Sequence, residues 1–269
     1  MKLQLILSRV RLRTGAMIDL FIRDDDVDFE EANLERLVSI GLKLRVPISL
    51  GIIPAALTRN VGILLNSVKR GHPELIELHQ HGWAHINHEG ELGMGEFGPA
   101  RSYRQQREDL EKGRDTLERS FGDGFFPAFS PPWNVYTTDT IRAMRELAFQ
   151  VLSAGWNDFG ESGSGIQNYP SSLDVMNWGA LGQLQPSRGL FLRIVALLMK
   201  ARGPVGLLMH HRRMTLGDFE ILESLLHRLT QTDRVVFHTF ESLEKKRLRA
   251  LRELDLTPTA ARCGVNDGA

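Results

Sequence analysis

Between Met17 and Thr239 short apolar runs alternate with longer segments of helical period, the pattern of an α/β fold built on parallel strands. Met17–Arg23 is an apolar run that ends in acids. Glu30–Leu44 carries apolar residues at Leu34, Leu37, Val38, Ile40 and Leu44, close to the spacing of one helix face. Pro47–Ile53 reads as a buried strand, Ala55–Lys69 as a helix punctuated by Gly71 and Pro73, and Glu74–His79 as a third strand. Tyr103–Phe121 is a charged amphipathic helix with Gly122 as its stop signal. The second half repeats the alternation. Strands are expected at Phe125–Ser130, Gln150–Ala154, Leu173–Trp178 (the weakest), Val205–His210 and Val235–Thr239. Helices are expected at Thr137–Ala148, Leu190–Ala201, Leu216–Thr230 and Glu241–Arg252, with a Gly/Ser-rich loop at Gly155–Gly165. Seven or eight strand–helix units result, and no Rossmann signature opens the first of them. A parallel (β/α) barrel is therefore favoured over an open doubly wound sheet. It forms one domain over residues 1–256, followed by a small, polar tail at 257–269 that is expected to fray.

The chain has 269 residues, 42% of them apolar and 25% charged, which is enough to bury a large core without cross-links. Its single cysteine, Cys263, can form no internal disulfide. Lys+Arg and Asp+Glu both number 33, which argues against a nucleic-acid binder that relies on a general basic field. No stretch is long and apolar enough to span a bilayer: Val46–Leu57 contains Pro47 and Pro54, and Gly189–Met199 carries Arg193. The N-terminus offers an apolar core of about five residues where a secretory segment needs roughly 7–15, so a cytoplasmic location is expected.

Three polar clusters sit where predicted strands end, the face on which parallel barrels build active sites. The first is Arg23-Asp24-Asp25-Asp26-Val27. Three adjacent carboxylates repel one another. They read either as a solvated cap for the following helix or as a metal ligand beside a general base. The second is His79-Gln80-His81-Gly82-Trp83-Ala84-His85, with His88 close behind, so that four of the nine histidines fall within ten residues. His81 and His85, four apart, can bring two imidazoles onto one divalent metal, and a carboxylate from Asp25 or Asp26 would complete a facial set. His79 and His88 read as supporting or simple loop residues. The third is Leu207-Leu208-Met209-His210-His211, where an apolar strand ends in two histidines. Side chains alternate along a strand, so His210 is expected to face the pocket and His211 is not. Gly93-Met94-Gly95-Glu96-Phe97-Gly98 fits a dinucleotide-binding pattern, but it follows a polar loop rather than a strand.

Taken in order, these segments resemble the motifs of the polysaccharide deacetylase superfamily of carbohydrate esterases. Asp25-Asp26 is similar to the acid pair of TFDDG, His81 and His85 to HxxxH, Phe129-Ser130-Pro131-Pro132-Trp133-Asn134 to RPPYG or RPPWG, and Leu207–His211 to LLMHD. Ser130 stands where the family usually has an arginine, and His211 where it has an aspartate. The family's paired acid and tryptophan are matched only loosely by Trp156-Asn157-Asp158. The resemblance implies a distorted (β/α) barrel and metal-assisted hydrolysis of an N-acetyl amide on a sugar. Asp26, His81 and His85 would hold one divalent metal, zinc by ligand type. Asp25 would act as base and His210 as general acid, while Trp83, Pro132, Trp133 and Trp156 would line the carbohydrate site. A barrel that only binds carbohydrate, or a hydrolase for another C–N or glycosidic bond, are the competing readings. Because Arg23 lies two residues before Asp25, its guanidinium is expected to replace the missing arginine. The alternatives are a surface pairing of Arg23 with Asp24 or Glu30, or a register in which Asp24 is the base.

Overall fold

The computed structural model describes residues 17–29, 32–155, 165–178, 183–184 and 187–255. Eight strands follow one path in an all-parallel, curled sheet, with helices packed outside it. They are β1 (Ile18–Val27), β2 (Ile48–Ile52), β3 (Ile76–His81), β4 (Phe125–Ser130), β5 (Val151–Leu152), β6 (Gln167–Asn168), β7 (Ser171–Asp174) and, after the short β8–β9 hairpin (Met176–Asn177 and Gln183–Leu184), β10 (Val205–Met209). Their order is β6-β5-β4-β3-β2-β1-β10-β7, and β11 (Val235–His238) pairs with the first half of β1. The 167–174 stretch pairs with β5 at its start and with β10 at its end. Both outer edges are thus taken up by one piece of chain, which makes the sheet a distorted (β/α) barrel.

The helices are α1 (Ala32–Leu44), α2 (Arg59–Gly71), α3 (Tyr103–Phe121), α4 (Thr138–Glu146), α5 (Ser187–Lys200), α6 (Leu216–Thr230) and α7 (Phe240–Asp255). Leu34, Leu37, Val38 and Ile40 of α1 are all buried, as their spacing predicts. Thr58, Ser102, Thr137 and Thr215 cap the helices that follow them, each hydroxyl accepting a backbone N–H. Strands covered on both faces must be apolar throughout, and Leu20, Phe21, Ile22, Ile48, Leu50 and Ile52 are fully buried. Each such side chain contributes about 1.5–3 kcal/mol. Phe240, fully buried just past β11, has its ring 5.2 Å from those of both Phe21 and His79. The buried Glu77 carboxylate accepts the Phe240 and Glu241 backbone N–H groups at 2.9 and 2.7 Å, which caps α7, and the Ser49 hydroxyl at 2.7 Å.

Three of the differences from the sequence pattern bear on the site. The first strand continues past Arg23 to Val27, because Arg23 and Asp24 pair with Ser49 and Leu50 on one side and with Leu208 and Met209 on the other. The third strand lies two residues later than its apolar run suggests and so includes His81. The segment expected as Leu173–Trp178 is broken at Val175, where Asp174 turns to accept the Met176 N–H. Trp156, Cys263, most of the 155–165 loop and the 257–269 tail lie outside the described residues.

Candidate active site

The C-terminal end of β1 separates its three carboxylates. Between Asp24 and Val27 the register against β2 shifts, with one residue more on β1 than on its partner, and Asp26 takes a left-handed φ of 66°. This bulge re-aims Asp26 towards the mouth of the barrel, and each acid then meets a different partner. Asp24 is fully buried and points away from the mouth. It accepts the His211 backbone N–H at 2.9 Å, and its other oxygen lies 2.5 Å from His211 Nδ1. Asp25 meets Arg23 in a bidentate pair, Nε to Oδ1 at 2.8 Å and a terminal nitrogen to Oδ2 at 2.5 Å. Arg23 is only 1% exposed, so the surface pairing is not what forms. Its remaining donors reach the Ser153 carbonyl at 2.7 Å and Asn134 Oδ1 at 3.1 Å. Gly51 makes the pair possible, since a Cβ there would lie 2.8 Å from Asp25 Oδ1.

Asp26 meets His81 and His85. Its Oδ1 is 3.3 Å from His81 Nε2 and 3.2 Å from His85 Nε2, and one donor atom from each of the three side chains lies within 4.8 Å of the others. Among the described residues this is the one such group of three. Asp26 Oδ1 is buried with no hydrogen-bond partner of good geometry. His81 Nδ1 sits 3.0 Å from the Ser130 carbonyl, which can only accept, so Nδ1 carries the proton and Nε2 presents its lone pair to the cluster. Two imidazoles and a carboxylate around an unsatisfied oxygen fit a divalent cation such as zinc.

Burial and charge oppose each other here. Burial alone would raise the Asp25 carboxyl, but the Arg23 guanidinium and then His81 outweigh it and hold it well below the usual carboxylate range. Burial likewise opposes ionisation of Asp26, and contact with His81 brings it down to about 2. His81 is desolvated yet raised, because Asp25 and Asp26 flank it, whereas burial lowers His85. Burial keeps His79 neutral, with its pKa lowered to about 3.

Other groups complete the surroundings of these residues. Ser130 Oγ lies 3.0 Å from His81 Nδ1, 3.1 Å from His79 Nε2 and 3.5 Å from Asp25 Oδ1, joining the two ligand-bearing strands. His210 is at the mouth with its Nδ1 4.0 Å from Asp174 Oδ1, and its ring meets Trp178 edge-on at 4.8 Å. Trp178 Nε1 donates to Asp174 Oδ2 at 2.7 Å. The acid and tryptophan that meet beside His210 are therefore Asp174 and Trp178, an i, i+4 pair in a stretch with no clear period. His211 is fully buried against Asp24. Trp133, at φ 56°, lies 4.3 Å from the His85 ring, and Trp83 is half-buried in the same loop as His85. Pro132 is buried against Gly82, so it shapes the wall and offers no open surface. His88 is exposed.

The polysaccharide deacetylase family profile matches residues 32–152, which include His81, His85 and the Ser130–Trp133 segment. No curated protein matches the sequence. Solved structures with the same fold include a Mycobacterium smegmatis protein classed with the polysaccharide deacetylases, 15% identical, covering 89% of this chain and 93% of that one with a TM-score of 0.66. A family 4 acetyl xylan esterase from Clostridium thermocellum, solved with a cobalt ion, is 12% identical over 87% of this chain and 92% of that one, with a TM-score of 0.57. A CE4 family pseudoenzyme from Bacillus anthracis is 14% identical over 85% and 66%, with a TM-score of 0.59.

Proposed function

Because the chain belongs to the polysaccharide deacetylase superfamily, we propose that it is a metal-dependent hydrolase that removes an acetyl group from an N-acetylated sugar or polysaccharide. The observation that carries this reading is the pairing of an Arg-clamped Asp25 with the Asp26–His81–His85 cluster at the strand ends. Asp26, His81 and His85 would hold the cation. When bound, it would supply Lewis-acid polarisation of the amide carbonyl and make water at the site more acidic.

The protein's own groups do the rest. Asp25 stays ionised because Arg23 faces it, and it takes the proton from the attacking water at a carboxylate oxygen. Such a carboxylate is a weak base, which suits a proton donor already made acidic. Arg23 fixes the direction of that carboxylate through two parallel hydrogen bonds, the task the family gives to the arginine replaced here by Ser130. His210, across the mouth and beside Asp174, donates a proton to the departing amine nitrogen. Trp133 and Trp178 offer flat faces for a sugar ring.

A second reading is a carbohydrate-binding barrel without catalysis. Ser130 at the arginine position favours it, as does the structural likeness to a CE4 family pseudoenzyme. The buried Arg23–Asp25 pair favours the enzyme, since an idle site has no use for a desolvated, bidentate clamp. Acetate release from N-acetylated oligosaccharides, measured with and without a chelator, separates the two. The enzyme reading expects release that chelation abolishes and zinc restores. Sugar binding with no release under either condition would favour the inactive barrel.

A further inference from the structure

The stretch after His85 carries the glycine pattern Gly93–Gly98, which nucleotide binding does not explain and the catalytic groups do not use. Its Glu96 is 1% exposed and reaches back into the ligand loop. Glu96 Oε1 accepts the Ala84 backbone N–H at 2.7 Å, and Oε2 accepts that of Trp83 at 3.1 Å. These successive N–H groups follow Gly82 at φ 60°, and the loop ends at His85 with φ 56°, an uncommon conformation for a residue with a side chain. A Cβ at Gly82 would fall 2.0 Å from Glu96 Oε2, so the carboxylate sits directly against the turn.

The rest of the loop is tied on other sides. Gly82 N–H donates to the Ser130 carbonyl at 3.2 Å, Gln80 Nε2 to the Gly82 carbonyl at 3.0 Å, and Ala55 N–H to the Trp83 carbonyl at 3.0 Å. His81 belongs to β3 and is placed by the sheet. His85 belongs to no element, and its backbone geometry rests on these tethers. Glu96 is itself held by its neighbours. Phe97 is buried with its ring 5.0 Å from that of Phe129, and Asn87 Oδ1 accepts the Glu89 and Gly95 N–H groups at 3.1 and 2.9 Å.

We propose that Glu96 is a positioning residue for His85: its carboxylate fixes the Gly82–His85 turn and thereby aims the His85 imidazole at Asp26. This rests on the reading of Asp26, His81 and His85 as metal ligands. It also gives the 89–101 stretch a purpose, as a strap that carries one carboxylate to the back of the ligand loop.

The test is a double-mutant cycle read by zinc affinity of the full chain, using a competing chromophoric chelator. Glu96→Gln keeps the shape but turns an NH₂ group towards one of the two N–H donors. Glu96→Asp, which withdraws the carboxylate by one methylene, serves if the first variant does not fold. In the wild-type background each substitution should weaken zinc binding by about 10-fold, the low end of the range for residues that orient ligands. In the His85→Ala background the same substitution should change affinity by less than about 2-fold, because the group it orients is gone. A carboxylate acting only as a nearby negative charge would weaken binding equally in both backgrounds, and that result would overturn the proposal. Unchanged zinc affinity in a folded Glu96 variant would overturn it too. A wild-type chain that binds no zinc would instead remove the metal reading on which it stands.

Discussion

Removing the Arg23 side chain should expose how much of the site depends on one ion pair. Arg23 and Asp25 are 1% and 3% exposed, so water cannot replace either partner of the bidentate contact. Arg23→Ala leaves a desolvated carboxylate, and breaking a buried pair from one side costs about 3–5 kcal/mol. For a chain of this length that corresponds to a fall in Tm of roughly 6–20 °C. Asp25→Asn strands the guanidinium in the same way. The double variant Arg23→Ala with Asp25→Asn strands neither, so its loss should be clearly smaller than the sum of the single losses. Urea unfolding at neutral pH with a chelator present reads all three. Purely additive losses, or an Arg23→Ala loss below about 1 kcal/mol, would mean that the two groups are not the coupled pair seen here. Under the proposed hydrolase reading, the same substitution removes the cation that lowers Asp25, so its carboxyl should titrate higher and the acid limb of the pH–rate profile should move to higher pH.

Three further outcomes follow from other buried or partly buried groups. His210→Ala should lower kcat by roughly 10²–10⁴-fold with little change in KM, whereas His211→Ala should act mainly on stability, by roughly 1–3 kcal/mol, because Asp24 loses its ring partner; steady-state kinetics beside thermal unfolding separates the two. Burial raises Glu77 above its ordinary value of 4.5, so the folded state holds that proton to higher pH than the unfolded chain does. Its contribution is fully present below pH 4.5 and is lost as pH rises through the folded-state value. Stability measured upward from pH 4.5 should therefore decline less in Glu77→Gln than in wild type, and parallel curves would show that Glu77 is not the group responsible.

The parts of this architecture visible in the sequence are those set by local chemistry. Apolar runs such as Ile48–Ile52 and the helix face of Leu34, Leu37 and Val38 follow from burial alone, and they place the polar clusters at strand ends. The i, i+4 spacing of His81 and His85 and the two-residue spacing of Arg23 and Asp25 are likewise local, and the structure brings each pair together. What stayed hidden depends on contacts made across the fold. The bulge that re-aims Asp26 exists because β1 and β2 fall out of step by one residue, which neither strand reveals alone. Asp24, open in the sequence to a surface pairing with Arg23 or to the role of base, is paired instead with His211, 187 positions away. Asp174 ends β7 and Trp178 lies beyond the break at Val175, in a stretch whose sequence reads as one weak strand, and their relevance comes from His210 just past the end of β10. The glycine spacing around Glu96 lacks the strand setting of a dinucleotide loop, and what it does instead, folding a carboxylate against backbone N–H groups, shows only in the structure.

The most direct measurement is anomalous scattering at the zinc edge from crystals of the wild-type chain grown with zinc. The account predicts one strong site within about 2.0–2.2 Å of Asp26 and of one imidazole nitrogen each from His81 and His85, with Asp25 close by and still clamped by Arg23. Zinc bound elsewhere, or a cluster that stays empty at saturating zinc, would contradict it.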